Sequence, residues 1–259
     1  MKTNTKPLIL ITNDDGINAK GINSLIEAAK DFGEIVVVAP EQAQSAMSHA
    51  ITIKNPLFYQ KVSGPIKNIQ YFKTNGTPAD CVKLAFNQIM ERKPDLVLSG
   101  INHGTNSSIS VIYSGTMAAA IEACIFGVDA IGFSLLDFDK DADFTAAKEI
   151  CKRIIANTIE HKLEKGVCLN VNIPTIKLDK IKGIRVSRQA SGLWQEVFDK
   201  RIDPNGREYF WLTGDFVIHE PEAEDTDEWA LNNNFVSLVP VQVDMTAHKA
   251  ISYLKKWEL

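Results

Sequence analysis

Solid apolar runs alternate along this chain with stretches of helical spacing. Leu8-Ile9-Leu10-Ile11 is apolar throughout and breaks into Thr12-Asn13-Asp14-Asp15-Gly16. Such a run reads as a strand buried on both faces, ended by a turn. Ile22, Leu25, Ile26 and Ala29 then recur at i, i+3, i+4 and i+7, which predicts an amphipathic helix, with Gly33 placed to end it. Glu34-Ile35-Val36-Val37-Val38-Ala39-Pro40 is a second buried strand, closed by proline. A helix between two such strands is the βαβ unit of a parallel sheet.

The same grammar continues. A polar loop, Glu41 to His49, precedes a region of short strands between 50 and 74, of which Ile51-Thr52-Ile53 and Ile69-Gln70-Tyr71-Phe72 are the clearest. Thr77-Pro78-Ala79-Asp80 opens a helix, with Thr77 as N-cap, Pro78 in the first turn and Asp80 reaching back. Asp95 to Ser99 is a third buried strand, ending in the loop Gly100 to Asn106. The alanine-rich run Met117 to Ala123 predicts a helix capped by Ser114 or Thr116 and closed by Gly127. A strand over 129–135, a helix over 144–159 and a strand over 167–173 complete an α/β fold, a Rossmann-like, doubly wound, mostly parallel sheet. Residues 1–7 read as a polar lead-in.

Past Ile184-Arg185-Val186 the character changes. Three of the four tryptophans lie between residues 190 and 230, where Asp203-Pro204-Asn205-Gly206 joins two strand-like runs into a long hairpin. An acidic loop over 220–228, a strand over 235–243 and a terminal helix over 246–257 follow. The chain therefore divides into a Rossmann-like core, residues 1–189, and a C-terminal segment, residues 190–259, of hairpin arm, returning strand and helix, within one overall domain. A hairpin with large apolar side chains and no core of its own packs either on a second subunit or back on its own sheet, and the pattern leaves both open.

Composition narrows the function. Of 259 residues, 45% are hydrophobic and 23% charged, and the net charge is −4 with no basic block, which argues against a stable nucleic-acid partner. The four cysteines stand apart in apolar surroundings, as buried thiols of a reducing compartment do. No apolar segment approaches membrane-spanning length, so a cytoplasmic protein without membrane partners is expected.

Candidate chemistry gathers after the strands. In a parallel sheet the carboxyl ends of the strands share one edge, where ligands bind. Asp14 and Asp15, Ser45, and Asn102 each follow a buried strand, and together they offer two carboxylates, a hydroxyl and a carboxamide. Adjacent carboxylates turned to one point repel unless a cation or a proton lies between them. An all-oxygen set favours Mg²⁺, Mn²⁺ or Ca²⁺ over zinc. Ser114-Gly115-Thr116 at a helix start is a ready anion site, and Gly100 to Asn106 can add donors. Metal and anion hole on one edge point to metal-assisted phosphate ester hydrolysis, the metal binding a phosphate oxygen and supplying or orienting the attacking water. Each part also has a plainer reading, a turn for Asn-Asp-Asp-Gly and simple capping for Ser114-Gly115-Thr116. His49 and His103 lie on the same edge as candidates for proton transfer or phosphate contact. Which of Asp14, Asp15 or His49 would take a proton from the water stays open. The chain has no GxxxxGK[ST], no GxGxxG after its first strand and no GxSxG, which disfavours P-loop NTPases, dinucleotide dehydrogenases and α/β-hydrolases.

The motifs ILITNDDGINAKGI (9–22), VVVAPEQAQSAMSHAIT (36–52), GTPADCVKLA (76–85), SGINHGTN (99–106) and YSGTMAAAIEA (113–123) together resemble the SurE (survival protein E) family of metal-dependent nucleoside monophosphate phosphatases. LNVNIP (169–174), Arg188-Gln189 and the DTDEWAL…FVSLVP pattern (225–240) fit as well. The resemblance implies a 5′-nucleotidase using one Mg²⁺ or Mn²⁺ per subunit, held by Asp14, Asp15, Ser45 and Asn102. Asp14, Asp15 and Asn102 are then the catalytic positions. Asn13, His103, Gly104, Asn106, Ser114, Gly115 and Thr116 are the positions expected to contact a nucleoside monophosphate. It also implies 3′-nucleotides and short polyphosphate as further substrates, and a homodimer or homotetramer built through the C-terminal arm. Two positions depart from the family pattern: His103 stands where many members carry arginine, and Ser48 where glycine is common. A regulatory nucleotide-binding protein without turnover is the alternative, and an α/β scaffold whose polar loops are mere turns is a third reading.

Overall fold

The computed structural model describes residues 6–257; the expected lead-in at residues 1–5 lies outside the described residues. In chain order the elements are β1 (Leu8–Thr12), α1 (Lys20–Ala29), β2 (Glu34–Pro40), β3 (Tyr59–Val62), β4 (Gln70–Thr74), α2 (Pro78–Leu84), β5 (Leu96–His103), α3 (Gly115–Ile125), β6 (Asp129–Leu135), α4 (Thr145–His161) and β7 (Val167–Ile173). β8 (Ile184–Val186), β9 (Gly192–Ile202), β10 (Glu208–Ile218), α5 (Asp227–Asn232), β11 (Val236–Gln242) and α6 (His248–Leu254) follow.

Nine strands form one sheet in the order β3-β4-β2-β1-β5-β6-β7-β11-β8. Its six consecutive strands β4-β2-β1-β5-β6-β7 pair in parallel. Numbered by appearance, those six run 3-2-1-4-5-6, the Rossmann order, and the chain reverses direction between β1 and β5. The period of two along a strand sends neighbouring side chains to opposite faces. Ile9 and Ile11 pack with Ile22, Leu25 and Ile26 of α1 and with Ile150 and Ile154 of α4. Leu8 and Leu10 pack on the other face with Val82 of α2 and with Met117 and Ala120 of α3. Burial on both faces is why β1 reads as an unbroken apolar run.

Several expectations shift in detail. Ile51-Thr52-Ile53 is not a strand: the Thr52 N–H donates to both carboxylate oxygens of Asp80, at 3.1 and 3.2 Å, and Ile53 is exposed. Gly33 does not cap α1, which ends at Ala29; a side chain at Gly33 would meet the Pro7 carbonyl at 2.2 Å. β5 does not stop at Ser99 but continues to His103 after a register shift against β6 between Ser99 and Asn102. The acidic loop ends sooner than expected, because Thr226 caps α5. α6 is shorter than the expected 246–257. β11 lies between β7, antiparallel, and β8, parallel. β9 and β10 form a separate antiparallel hairpin.

Candidate active site

The reversal between β1 and β5 makes their carboxyl ends the switch point of the sheet, the place where open α/β sheets bind ligands. Thr12 of β1 stands in register with Ser99 of β5, so Asn13 to Asp15 and Asn102 emerge side by side. The turn at Asp15 is fixed by Gly16, whose φ of +100° is open to glycine, and by Asn13, whose Nδ2 donates to the Gly16 carbonyl at 3.0 Å. Asp14 is buried, and its Oδ1 accepts the Thr116 hydroxyl at 2.5 Å. Asp15 is half-buried and accepts the His103 N–H, at 3.4 Å.

Helix α3 meets this turn end-on. The Ser114 hydroxyl caps it by accepting the Met117 N–H at 3.0 Å, which settles the choice between Ser114 and Thr116. Thr116 is instead turned onto Asp14. Gly115 lets the helix approach, since a Cβ there would stand 2.8 Å from the Asp14 Cβ. The first turn of α3 therefore presents its positive end to Asp14. Burial, with the Asp15 charge beside it, still drives the Asp14 carboxyl up to about 6, against the opposing hydrogen bonds from Thr116. Burial also raises Asp15, against the His103 N–H and charge. Among the described residues no lysine or arginine contributes to either carboxylate.

The remaining predicted residues take distinct places. The Gln44 N–H donates to the Asp14 carbonyl at 2.7 Å, which brings the loop after β2 to the switch point, with Ser45 next along it and exposed. Asn102 donates from Nδ2 to the Gly104 carbonyl at 2.8 Å. Gly104 has a φ of +92° and lies against the Phe138 ring. The His103 ring stacks edge-on against Phe144, and its buried Nδ1 has no partner. Asn106 is a strut: its N–H donates to Asn172 Oδ1 at 2.8 Å and its Nδ2 to Ser134 Oγ at 2.7 Å. His49 is engaged by α3, its Nε2 lying 2.8 Å from Glu122.

Sequence reasoning missed Glu122, Ser134, Asn172 and Asp227. Asp227 accepts the Ser108 and Ala190 N–H groups at 2.7 and 2.9 Å, tying α5 to the loop that leads into α3. Its place in the DTDEWAL pattern, directly after a threonine suited to cap a helix, was the signal available for it.

The donor chemistry suits a hard divalent cation. Two adjacent carboxylates, one buried and one half-buried, have no lysine or arginine acting on them among the described residues, and Asn13 Oδ1 is buried without a partner among those residues. Among the described residues no three His, Cys, Asp or Glu side chains gather as a metal site. The expected ligand set has only two of that kind, the others being a hydroxyl and a carboxamide.

The family profile described as Survival protein SurE matches residues 9–196. This chain belongs to the SurE family. It is 57% identical over 254 residues to a protein of Flavobacterium johnsoniae named 5′-nucleotidase SurE, covering 98% of each chain. It is 55% identical over 255 residues to one of Flavobacterium psychrophilum with the same name, covering 98% of this chain and 99% of that one. The crystal structure of the SurE protein from Aquifex aeolicus superposes with a TM-score of 0.84 at 38% identity, covering 96% of this chain and 98% of that one. The β-hairpin and terminal helix that follow the Rossmann-like sheet complete the SurE architecture. No helix among the described residues is long and apolar enough to cross a membrane.

Proposed function

We propose that this chain is a divalent-metal-dependent 5′-nucleotidase that hydrolyses nucleoside 5′-monophosphates to nucleoside and phosphate. The observation that carries the reading is the pair Asp14–Asp15, one buried and one half-buried, set side by side at the reversal of the sheet without a lysine or arginine partner among the described residues and with the first turn of α3 on Asp14. Support also comes from the two Flavobacterium relatives named as 5′-nucleotidases.

In this reading Asp14, Asp15, Ser45 and Asn102 hold one Mg²⁺ or Mn²⁺. When bound, such an ion supplies Lewis acidity to a phosphoryl oxygen and acidifies water. Thr116 keeps Asp14 oriented and charged through its short hydrogen bond. Asn13 fixes the turn through its bond to the Gly16 carbonyl and keeps a buried, unpartnered Oδ1 next to the two aspartates in sequence. The backbone of Ser114 and Gly115 offers N–H donors where charge develops on the phosphoryl oxygens, while Thr116 directs its own donors at Asp14. His103 and Gly104 line the opposite wall and take the phosphate or the ribose, and Asn106 holds their loop. Substrates extend to 3′-nucleotides and short polyphosphate. The C-terminal segment, residues 190–259, assembles subunits into a dimer or tetramer, and the protein works in the cytoplasm.

The test is phosphate release from AMP, GMP and p-nitrophenyl phosphate with and without Mn²⁺ or Mg²⁺. Metal-dependent release that Asp14→Ala and Asp15→Ala each reduce by at least about 100-fold is expected. Activity that survives chelation or these substitutions overturns the reading. Metal-dependent nucleotide binding without phosphate release identifies a regulatory protein instead.

A further inference from the structure

Glu122 lies in the middle of α3 and is only 4% exposed. A carboxylate is buried at a large penalty unless it is paired. Here two partners reach it from different elements. Lys83 of α2 donates to Oε1 at 2.5 Å, and His49 Nε2 lies 2.8 Å from Oε2. These contacts hold the Glu122 carboxyl below the usual range despite burial. Lys83 joins helix to helix. His49 belongs to the loop between Glu41 and Ala50, the loop that carries Ser45.

That loop has an awkward backbone. Ala46 and Ser48 have φ values of 58° and 54°, a left-handed conformation uncommon for residues with a Cβ. External ties hold it. Before Ser45, the Gln44 N–H donates to the Asp14 carbonyl. After it, Ser48 donates from its N–H to the Tyr113 carbonyl at 3.1 Å and from its hydroxyl to the Ile112 carbonyl at 2.7 Å. His49 then docks on Glu122. Ser45 is suspended between these anchors. The same helix that presents Gly115 and Thr116 to Asp14 thereby carries, two turns further on, the anchor of the Ser45 loop.

We propose that Glu122 is a positioning residue of the metal site, acting through His49 to hold Ser45 at the carboxyl edge of the sheet. The inference rests on the reading that Ser45 is a metal ligand. It assigns His49 to the scaffold rather than to proton transfer.

The experiment measures Mn²⁺ binding by calorimetry, thermal midpoint and AMP hydrolysis for the wild type, His49→Ala, His49→Gln and Lys83→Ala. His49→Ala is expected to weaken Mn²⁺ binding about tenfold or more, with a matching fall in kcat/KM, as for other groups that orient metal ligands. His49→Gln, whose amide can still donate to Glu122, recovers most of the loss. Lys83→Ala removes the other partner of the same carboxylate and leaves the loop alone. It lowers the thermal midpoint and leaves Mn²⁺ affinity within about twofold. Unchanged Mn²⁺ affinity in His49→Ala, or an equal loss in Lys83→Ala, overturns the proposal. Wild-type protein that binds no Mn²⁺ overturns the reading of the metal site itself, a failure visible before any variant is compared.

Discussion

Asp14 is pulled two ways. Burial and the Asp15 charge favour its protonated form, whereas the Thr116 hydroxyl and the first turn of α3 favour the carboxylate. The balance, at about 6, lies above the ordinary 3.8. Metal binding needs the carboxylate, so Mn²⁺ affinity should hold above pH 6 and fall as the pH drops through it, which calorimetry at pH 5 and 7 would read. Thr116→Val removes a bond to the charged form and should move that midpoint to higher pH, while Thr116→Ser keeps it. The sign for stability is opposite to that of an ordinary ion-paired aspartate. Between the unfolded and folded values the native state binds the extra proton, so the metal-free protein loses stability as the pH rises from about 4 to about 6. At pH 7, Asp14→Asn should therefore stabilise the metal-free protein by about 1–3 kcal/mol while abolishing metal-dependent activity. The positions of Asp14, Asp15, Ser45 and Asn102 toward the carboxyl edge of the sheet were legible because each follows an apolar run. Glu122 was not, because an acid at a helical position among alanines reads as an exposed one, and only the fold reveals what covers it.

Among the elements, α2 obeys its sequence most closely. Thr77 accepts the Asp80 N–H at 3.2 Å, and Asp80 accepts the Thr77 N–H at 3.0 Å, the reciprocal cap that the spacing predicts. The Thr77 hydroxyl also donates to the Ala50 carbonyl at 2.7 Å, at the end of the Ser45 loop. Thr77→Ala should cost about 1–2 kcal/mol, seen as a lower denaturation midpoint. Helix α1 approaches β5 without any side chain between them at Gly21, where a Cβ would stand 1.9 Å from the Ile101 carbonyl. Gly21→Ala should destabilise by about 1–3 kcal/mol and lower phosphate release as well, because the displaced backbone leads directly into Asn102. Local patterning failed at Ile51-Thr52-Ile53 and at the end of β5. In the first, a backbone N–H is taken by Asp80 rather than by a neighbouring strand. In the second, Gly100-Ile101-Asn102-His103-Gly104 looks like a loop for its glycines and polar pair, yet β6 supplies partners as far as His103.

At the scale of the molecule, the hairpin stands out. Phe198 and Leu212 face each other across it, and both remain more than half exposed, as do Phe210 and Trp211. A two-stranded hairpin is marginal alone, and apolar area of this extent marks a contact surface. On the proposed assembly through this arm, Phe198→Asp with Leu212→Asp should yield monomer in light scattering, with the sheet intact by circular dichroism. The sheet order was legible in outline from the alternation of buried strands and helices. The position of β11 was not, because a single apolar strand after a long hairpin carries no address. That position bears on synthesis. β7 and β8 sit on either side of a strand drawn from residues 236–242, and among the described residues β8 has no other partner in the sheet. While the ribosome is still translating the hairpin, the growing sheet ends at an open β7 edge, the kind that pairs with strangers. Nascent chains arrested before residue 236 should therefore depend on holding chaperones that the released protein no longer needs.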